Sequence, residues 1–265
     1  MRALVLALAS LMLLPLPGHA DEPPPIEALV TRMKQALEPP VASLRRLTLS
    51  VSGEDGTTTQ WTLVQARKVV AGQGRILMVV LSPPSSRGIT SLIVDGTPPQ
   101  TELYVPAVRR VRTIVPLDGY EAVLNSDFTY FDLGFVRRQD TYTFAGAEDR
   151  HGRPAWKIQQ VPTTVLVYSR IVTWLDRATG LPIERNYFGP GGQLWKVETF
   201  EKVVTVDGQP LALQVTMEDR QTGGRSVLEV SNVRMGVELP DRLFERSGLR
   251  DAASSPLWAQ LDQSR

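Results

Sequence analysis

Residues 76–81 read ILMVVL, an apolar run that is not interrupted by any polar residue. In an extended strand, successive side chains point to opposite faces, so the even-numbered residues of this run share one face and the odd-numbered residues the other. A strand that is apolar on both faces has to be covered twice. We therefore expect a sheet with a packed core on one side and a helix or a bound apolar molecule on the other.

The strand period returns along most of the chain. Residues 47–51 alternate leucine or valine with threonine or serine, and turn dipeptides such as Asp95-Gly96, Asp207-Gly208 and Gly223-Gly224 separate the later runs. This pattern predicts roughly ten or eleven short antiparallel strands in one meander, curled into a barrel or half-barrel. One amphipathic helix is expected over residues 26–37. The fold class is therefore mainly β with a few helices (α+β).

The amino terminus has the pattern of a secretory signal peptide. Arg2 precedes an apolar run over residues 3–16, and small residues lead to Ala20 before the charged Asp21. We expect residues 1–20 to be a signal peptide cleaved near Ala20, and the mature protein to reside in the periplasm. The expected domain spans residues 21–250, and residues 251–265 form a polar tail that we expect to be mobile.

The composition excludes several classes of function. The 29 basic residues, one of which is Arg2, balance 28 acidic residues, so nothing predicts nucleic-acid binding. There is no cysteine, which excludes disulfides and thiol chemistry, and beyond residue 20 the one histidine is His151 in a turn. Glu198 and Glu201 would point to opposite faces of a strand. We therefore expect no metal site, no cofactor and no enzymatic activity.

An aromatic-rich stretch, LNSDFTYFDLGF at residues 124–135, follows the first group of strands. Tyr120, Leu124, Phe128, Phe131 and Phe135 recur at helical spacing. This spacing predicts a short helix, which either forms a lid across one end of an open barrel or plugs the core.

Arg109, Arg110 and Arg112 precede that stretch, and Asp127 and Asp132 lie within it. Two interpretations remain open for the arginines. They form a solvated salt-bridge cluster, or they hold an acidic lid residue or the acidic surface of a partner.

Two segments carry a resemblance to a known family: YVPAVRRVRTI at residues 104–114 and NSDFTYFDL at residues 125–133. The chain resembles the LolA-like outer-membrane lipoprotein-sorting proteins, in the branch found beside RND-type transporters. Asn125 stands where that family usually has glycine, and Phe131 where an acidic residue is common. The resemblance implies an unclosed, strongly curved antiparallel half-barrel with a helical lid over an apolar cavity. It also implies a periplasmic carrier that shields acyl chains during transfer from the inner to the outer membrane, and hence a part in outer-membrane biogenesis.

Three functions are therefore considered. The first is a monomeric carrier of lipoprotein or lipid, with transient membrane contact only. The second is an accessory protein that binds an inner-membrane transporter of RND or ABC type. The third is an envelope hydrolase or lipid-modifying enzyme, which would depend on His151 or a carboxylate pair. The cargo could be a lipoprotein, a phospholipid, or a hopanoid-like or sterol-like lipid.

The candidate site residues follow from the carrier hypothesis, with the choice of concave face left open because the strand period does not determine it. Trp61, Leu63, Met78, Val80 and Ile93 are expected in the cavity wall, and Leu124, Phe128 and Phe131 in the lid. Tyr104 and Tyr130 complete the expected lipid-binding set. Arg109, Arg110 and Arg112 are the expected partner-binding residues.

Overall fold

The structure is a computed structural model, and it describes residues 22–53, 56–95, 100–115, 118–134, 140–162 and 167–262. The expected signal peptide, residues 1–20, lies outside the described residues. So does Phe135, the last member of the aromatic stripe.

The described residues form one α-helix, α1 (Ile26–Leu37), and thirteen strands. The strands are β1 (Ser43–Ser52), β2 (Thr58–Val70), β3 (Gln73–Ser82), β4 (Thr90–Val94), β5 (Gln100–Val105), β6 (Arg110–Thr113), β7 (Asp140–Arg150), β8 (Arg153–Pro162), β9 (Arg170–Asp176), β10 (Pro182–Phe188), β11 (Leu194–Val206), β12 (Gln209–Asp219) and β13 (Arg225–Met235). Short 3-10 helices occupy Pro106–Val108, Asp118–Tyr120, Val123–Asn125, Asp241–Phe244, Arg246–Gly248, Ala252–Ser254 and Pro256–Leu261.

All thirteen strands belong to one antiparallel sheet in the order β6-β5-β4-β3-β2-β1-β13-β12-β11-β10-β9-β8-β7. The chain therefore makes two meanders that join in the middle, where β1 pairs with β13. The edge strands β6 and β7 are consecutive in sequence but not paired with each other. The expected mainly β, unclosed half-barrel is confirmed.

The inner face of the sheet carries the largest core. Its buried residues run from Ile93 on β4, through Leu47 on β1 and Met217 on β12, to Ile171 on β9. In the sheet order, β4 and β9 are the first and last of nine consecutive strands. Ser91 on β4 and Ile171 on β9 nevertheless line one cavity. The inner face is therefore concave.

The outer face of β3 is covered by the C-terminal segment. Leu77 and Val79 of the ILMVVL run share a cluster with Phe244, Trp258 and Leu261, all of them buried. The outer face of the run is thus covered by a packed core to which two short 3-10 helices contribute. Residues 256–261 of the expected tail pack here through Trp258 and Leu261.

Helix α1 covers the other half of the inner face. Its apolar side places Leu29 and Met33 against Trp156 and Ile158 of β8. The helix stops at Glu38, whose amide donates to the Lys34 carbonyl, and the prolines that follow cannot continue it. Among the residues that the structure describes, no helix has the length and apolarity needed to cross a membrane.

We predict that Leu261→Ala lowers the free energy of unfolding by about 2–5 kcal/mol, because it leaves a cavity at a fully buried position. The measurement is urea unfolding followed by circular dichroism. Leu194→Ala is the matched control, since Leu194 is 38% exposed on β11. Equal losses in the two variants would contradict the packing of the C-terminal segment.

Candidate functional site

A cavity of about 690 Å³ opens on the concave side of the sheet. Three walls enclose it: the inner sheet face, α1 and the connection between β6 and β7. We call residues 118–134 of that connection the lid. The apolar part of the cavity lining includes Leu47, Leu63, Met78, Val80, Val215 and Leu228.

The lid is a compact series of turns rather than the expected helix. It contains two 3-10 helices, Asp118–Tyr120 and Val123–Asn125, and an antiparallel bridge between Ala122 and Thr129 encloses the second of them. Leu124 and Asn125 have left-handed backbone conformation, with φ of 51° and 58°. Such residues turn the chain back on itself, so the aromatic stripe at helical spacing gave a wrong prediction of a helix.

Aromatic packing fixes the lid to the sheet. Phe128 is fully buried in the inner core. Phe131 stacks on Tyr120, with ring centroids 5.9 Å apart, and its centroid is 6.1 Å from that of Tyr168, just before β9. Tyr168 in turn packs on Tyr187 of β10 at 5.0 Å. The lid therefore continues the inner core, and the aromatic segment is both a core element and a cavity wall.

A buried ion pair forms the polar half of this attachment. Lys196 of β11 lies with its Nζ 3.7 Å from Oδ2 of Asp132, and the two side chains are 6% and 0% exposed. The same Oδ2 accepts hydrogen bonds from the Thr129 amide at 2.9 Å and the Tyr168 hydroxyl at 3.2 Å. Burial, and then the negative charge of Asp132, raise the pKa of Tyr168 well above 10, so Tyr168 remains a donor to the carboxylate.

Asp127 provides the second polar attachment. Its carbonyl oxygen accepts from Lys196 Nζ at 2.6 Å, and its carboxylate accepts from the Ser226 hydroxyl of β13, also at 2.6 Å. The lid approaches so closely here that a Cβ on Gly224 would collide with the Asp127 carboxylate. We call Asp127, Asp132, Tyr168, Lys196 and Ser226 the latch.

Of the three arginines suggested by the sequence, Arg112 pairs with acidic residues of the lid, but these are not Asp127 and Asp132. Arg112 lies 3.0 Å from Glu121 and 3.8 Å from Asp118, and Arg109 and Arg110 are exposed at the edge of the sheet. Outside the lid, the partners of Asp127 and Asp132 lie 36 or more positions away from them in sequence. The interpretation that an arginine holds an acidic lid residue therefore applies to Arg112, with Glu121 and Asp118 as the residues held.

The structure brings most of the expected lipid-binding residues to one side. Leu63, Met78 and Val80 border the cavity, together with Leu124, Tyr130 and Phe131 of the lid. Trp61, Ile93 and Phe128 belong to the inner core beside it.

Tyr104 is a correction to the expected set. Its side chain packs in the outer core, with Leu92 and the C-terminal segment, while the neighbouring Leu103 borders the cavity. Adjacent residues of a strand face opposite sides, and the sequence did not reveal which of the two faces inwards.

Charged residues at the cavity were missed by the sequence analysis. Arg185 lies 3.3 Å from Glu198, which also accepts a 2.7 Å hydrogen bond from the Tyr187 hydroxyl. Burial raises the pKa of Glu198, and Arg185 partly offsets that effect. Arg45 and Arg67 are also buried and line the cavity. In the sequence, the one sign of such a buried arginine is that Arg45 alternates with Leu47 and Leu49 and so shares their face of β1. That spacing alone does not distinguish a buried arginine from an exposed one.

The residues considered for catalysis do not meet at the cavity. His151 lies at the turn between β7 and β8, with Nε2 2.7 Å from the Glu184 carboxylate, which also binds Arg150. Neither His151 nor Glu184 borders the cavity. In the described part of the chain, no group of three potential metal ligands occurs.

We predict that Asp132 and Lys196 are strongly coupled in a double-mutant cycle. Asp132→Asn or Lys196→Met alone leaves a buried charge without its counter-ion and lowers the free energy of unfolding by about 3–5 kcal/mol, whereas the double variant recovers part of the loss. The exposed pair Lys202–Glu229 has the same 3.7 Å separation and is the matched control. Its coupling should stay below about 1 kcal/mol. Equal coupling in the two pairs would contradict the buried latch.

We predict a pH-dependent difference in stability between the wild type and Glu198→Gln. A raised carboxyl pKa means that the folded state binds the proton more tightly, so the contribution of Glu198 is fully present below 4.5 and is lost as the pH rises through its folded pKa. The free energy of unfolding of the wild type should therefore fall relative to that of Glu198→Gln as the pH rises above 4.5. Urea unfolding across this range provides the measurement, with Glu201→Gln on the same strand as baseline. If the free energy of unfolding of the wild type stayed constant or rose relative to that of Glu198→Gln, the raised pKa of Glu198 would be contradicted.

Comparisons with known proteins agree with this architecture. A putative outer-membrane lipoprotein-sorting protein domain from Vibrio parahaemolyticus is 22% identical, with a TM-score of 0.77 over 84% of this chain and 97% of that one. A DUF1329 family protein from Desulfovibrio piger is 23% identical, with a TM-score of 0.76 over 85% and 99%. A LolA superfamily protein from Nitrosomonas europaea is 15% identical, with a TM-score of 0.65 over 83% and 97%. At these identities the likeness shows a shared fold.

No curated protein matches the chain. A family model described as uncharacterized-protein-like matches residues 72–251, from the turn before β3 to the C-terminal segment. The match covers more than half of the chain. The chain therefore belongs to this family of uncharacterized proteins, and its fold is that of the LolA-like outer-membrane lipoprotein-sorting proteins.

Proposed function

We propose that the protein is a periplasmic carrier that binds the acyl or other apolar part of a lipid or lipoprotein in the cavity and moves it between the inner and outer membranes. The observation that carries this proposal is the cavity itself, an apolar space of about 690 Å³ enclosed by the sheet, α1 and the lid. Sites for small organic molecules have volumes of about 300–1,000 Å³.

The chemistry of the wall supports an apolar guest. Leucine, methionine and valine side chains from both meanders face the cavity, and Phe131 and Leu133 of the lid close it. Each methylene removed from water gains about 0.8 kcal/mol, so partial burial of one acyl chain is worth several kcal/mol.

The topology supports loading and release through one movable part. The lid touches the sheet through Phe128, the aromatic cluster and the latch, whereas the strands below it are hydrogen-bonded in one continuous ladder. Opening the cavity therefore requires only the lid to move. We propose carriage without chemical modification of the cargo, and export by a signal peptide cleaved near Ala20.

A second candidate function rests on the edge of the sheet. Arg109 and Arg110 are exposed at β6, next to Val108, which is 62% exposed. A basic, partly apolar strand edge suits an acidic protein surface, and an inner-membrane RND or ABC-type transporter would be the partner. Co-purification with such a transporter that is lost in Arg109→Glu/Arg110→Glu, with probe binding in the cavity unchanged, would favour this function alongside carriage.

We predict that Val215→Trp lowers the affinity for a neutral apolar probe, N-phenyl-1-naphthylamine, by about tenfold or more, because the indole occupies cavity volume. Probe fluorescence on titration is the measurement. Val204→Trp, on the exposed part of β11, is the matched control and should bind as the wild type does. Absence of probe binding to the wild type, or equal binding to all three proteins, would refute the carrier proposal.

A further inference from the structure

Two buried arginines at the α1 end of the cavity differ from the charged groups elsewhere in its wall. Arg45 of β1 is 8% exposed and Arg67 of β2 is 6% exposed, and both line the cavity. They lie on adjacent strands, since Arg45 pairs with Gln65 and Ser43 with Arg67. Two like charges are thus held close together in a region largely shielded from water.

The opposite charges nearby do not satisfy Arg45. Glu38 lies 3.9 Å from Arg67, and Asp95 also borders the cavity beside Arg67. The shielded Nε of Arg45 has no hydrogen-bond partner. Lys34, exposed on α1, adds a third positive charge to this end, so three cations face two carboxylates.

Arg185 in the same cavity provides an internal comparison. Burial acts to lower the pKa of Arg185, but the charge of the paired Glu198, together with Tyr187, outweighs it and raises that pKa. Burial, and then the charge of Arg67, instead lower the pKa of Arg45 to about 10, and the charge of Glu38 opposes this shift only in part. A buried guanidinium without a full counter-charge is costly, and this cost is removed when an oxyanion binds to it.

The apolar lining continues directly from this charged end. Leu47 and Leu49 follow Arg45 on the same face of β1, at about 7 and 13 Å along the strand. A molecule with its anionic group at Arg45 would therefore have its chain on the leucines and its far end under the lid. Planar guanidinium groups are well suited to carboxylate and phosphate oxygens, with which they form two parallel hydrogen bonds.

We propose that the cavity selects acyl amphiphiles with an anionic head group, a carboxylate or a phosphate, and that Arg45, supported by Arg67, binds this head group. This inference rests on the proposed function and adds the class of cargo to it. Uncharged and cationic amphiphiles of the same chain length would lack the interaction with Arg45.

The test compares three amphiphiles with one chain length at pH 8: laurate, 1-dodecanol and dodecyltrimethylammonium. Each is titrated against the wild-type protein loaded with N-phenyl-1-naphthylamine, which is uncharged. A charge-assisted hydrogen bond predicts that laurate displaces the probe at about a tenfold lower concentration than 1-dodecanol, and that the cation is weakest. This ranking is measured on the wild-type protein, so it does not depend on whether a variant folds.

Arg45→Gln then assigns the residue. It should raise the laurate concentration needed for displacement about tenfold and leave that of 1-dodecanol within about twofold, whereas Arg220→Gln, at an exposed arginine away from the cavity and the lid, should change neither. Equal displacement by laurate and 1-dodecanol, or equal effects of the two substitutions, would overturn the head-group inference and leave the carrier proposal standing. Displacement of laurate by inorganic phosphate alone would also overturn it, since the site would then bind free anions. Failure of all three amphiphiles to displace a bound probe would refute both.

Discussion

The connection between β6 and β7 has to cross the mouth of the half-barrel, because these consecutive strands are the two edges of the sheet. No hairpin can join them. The chain instead passes over the concave face and contacts strands from both meanders. Tyr130 packs with Leu103 on β5 in the first meander, and polar contacts reach Lys196 on β11 and Ser226 on β13 in the second. The lid is therefore a requirement of the strand order, and the cavity is the space left between this crossing and the curved sheet.

The crossing segment has to bury its own backbone and charges where it meets the sheet. Within the lid, backbone amides of the turns donate hydrogen bonds to nearby carbonyl groups, as the Val123 amide does to the Phe128 carbonyl. The latch pairs Oδ2 of Asp132 and the Asp127 carbonyl with Lys196, and the Asp127 carboxylate with Ser226. Buried ion pairs often contribute little net stability, but they are demanding in geometry. Lys196 and Asp132 accordingly define where the lid sits more than how tightly it is held.

The fold class was accessible from the sequence because it depends on local patterns. The apolar run at residues 76–81, alternation in the strands and glycine-containing turns are all encoded within a few residues. The face on which Tyr104 lies was predicted wrongly. Alternation shows that Tyr104 and Leu103 point to opposite faces, but the turn before the strand decides which of them points inwards. The prediction of a helix in the lid was wrong because Leu124 and Asn125 have left-handed backbone conformation. This conformation interrupts a helix even though the aromatic side chains recur at helical spacing. The latch partners and the cover of the outer face arise from contacts between distant parts of the chain, which no single sequence window contains.

The two ends of the cavity have opposite electrostatic character, and this bears on how a carrier can both hold and release its cargo. At the lid, the charges of Asp132 and Lys196 neutralise each other, and on opening they regain water, so the main cost of opening is the exposure of Phe128 and its aromatic neighbours. At the α1 end, Nε of the buried Arg45 has no hydrogen-bond partner, and Arg45 makes no contact with the lid aspartates. Under the proposed function, the affinity for an anionic head group and the stability of the lid therefore depend on different residues. Substitutions at one end can therefore be used to alter retention without altering opening, which separates the two steps of transfer experimentally.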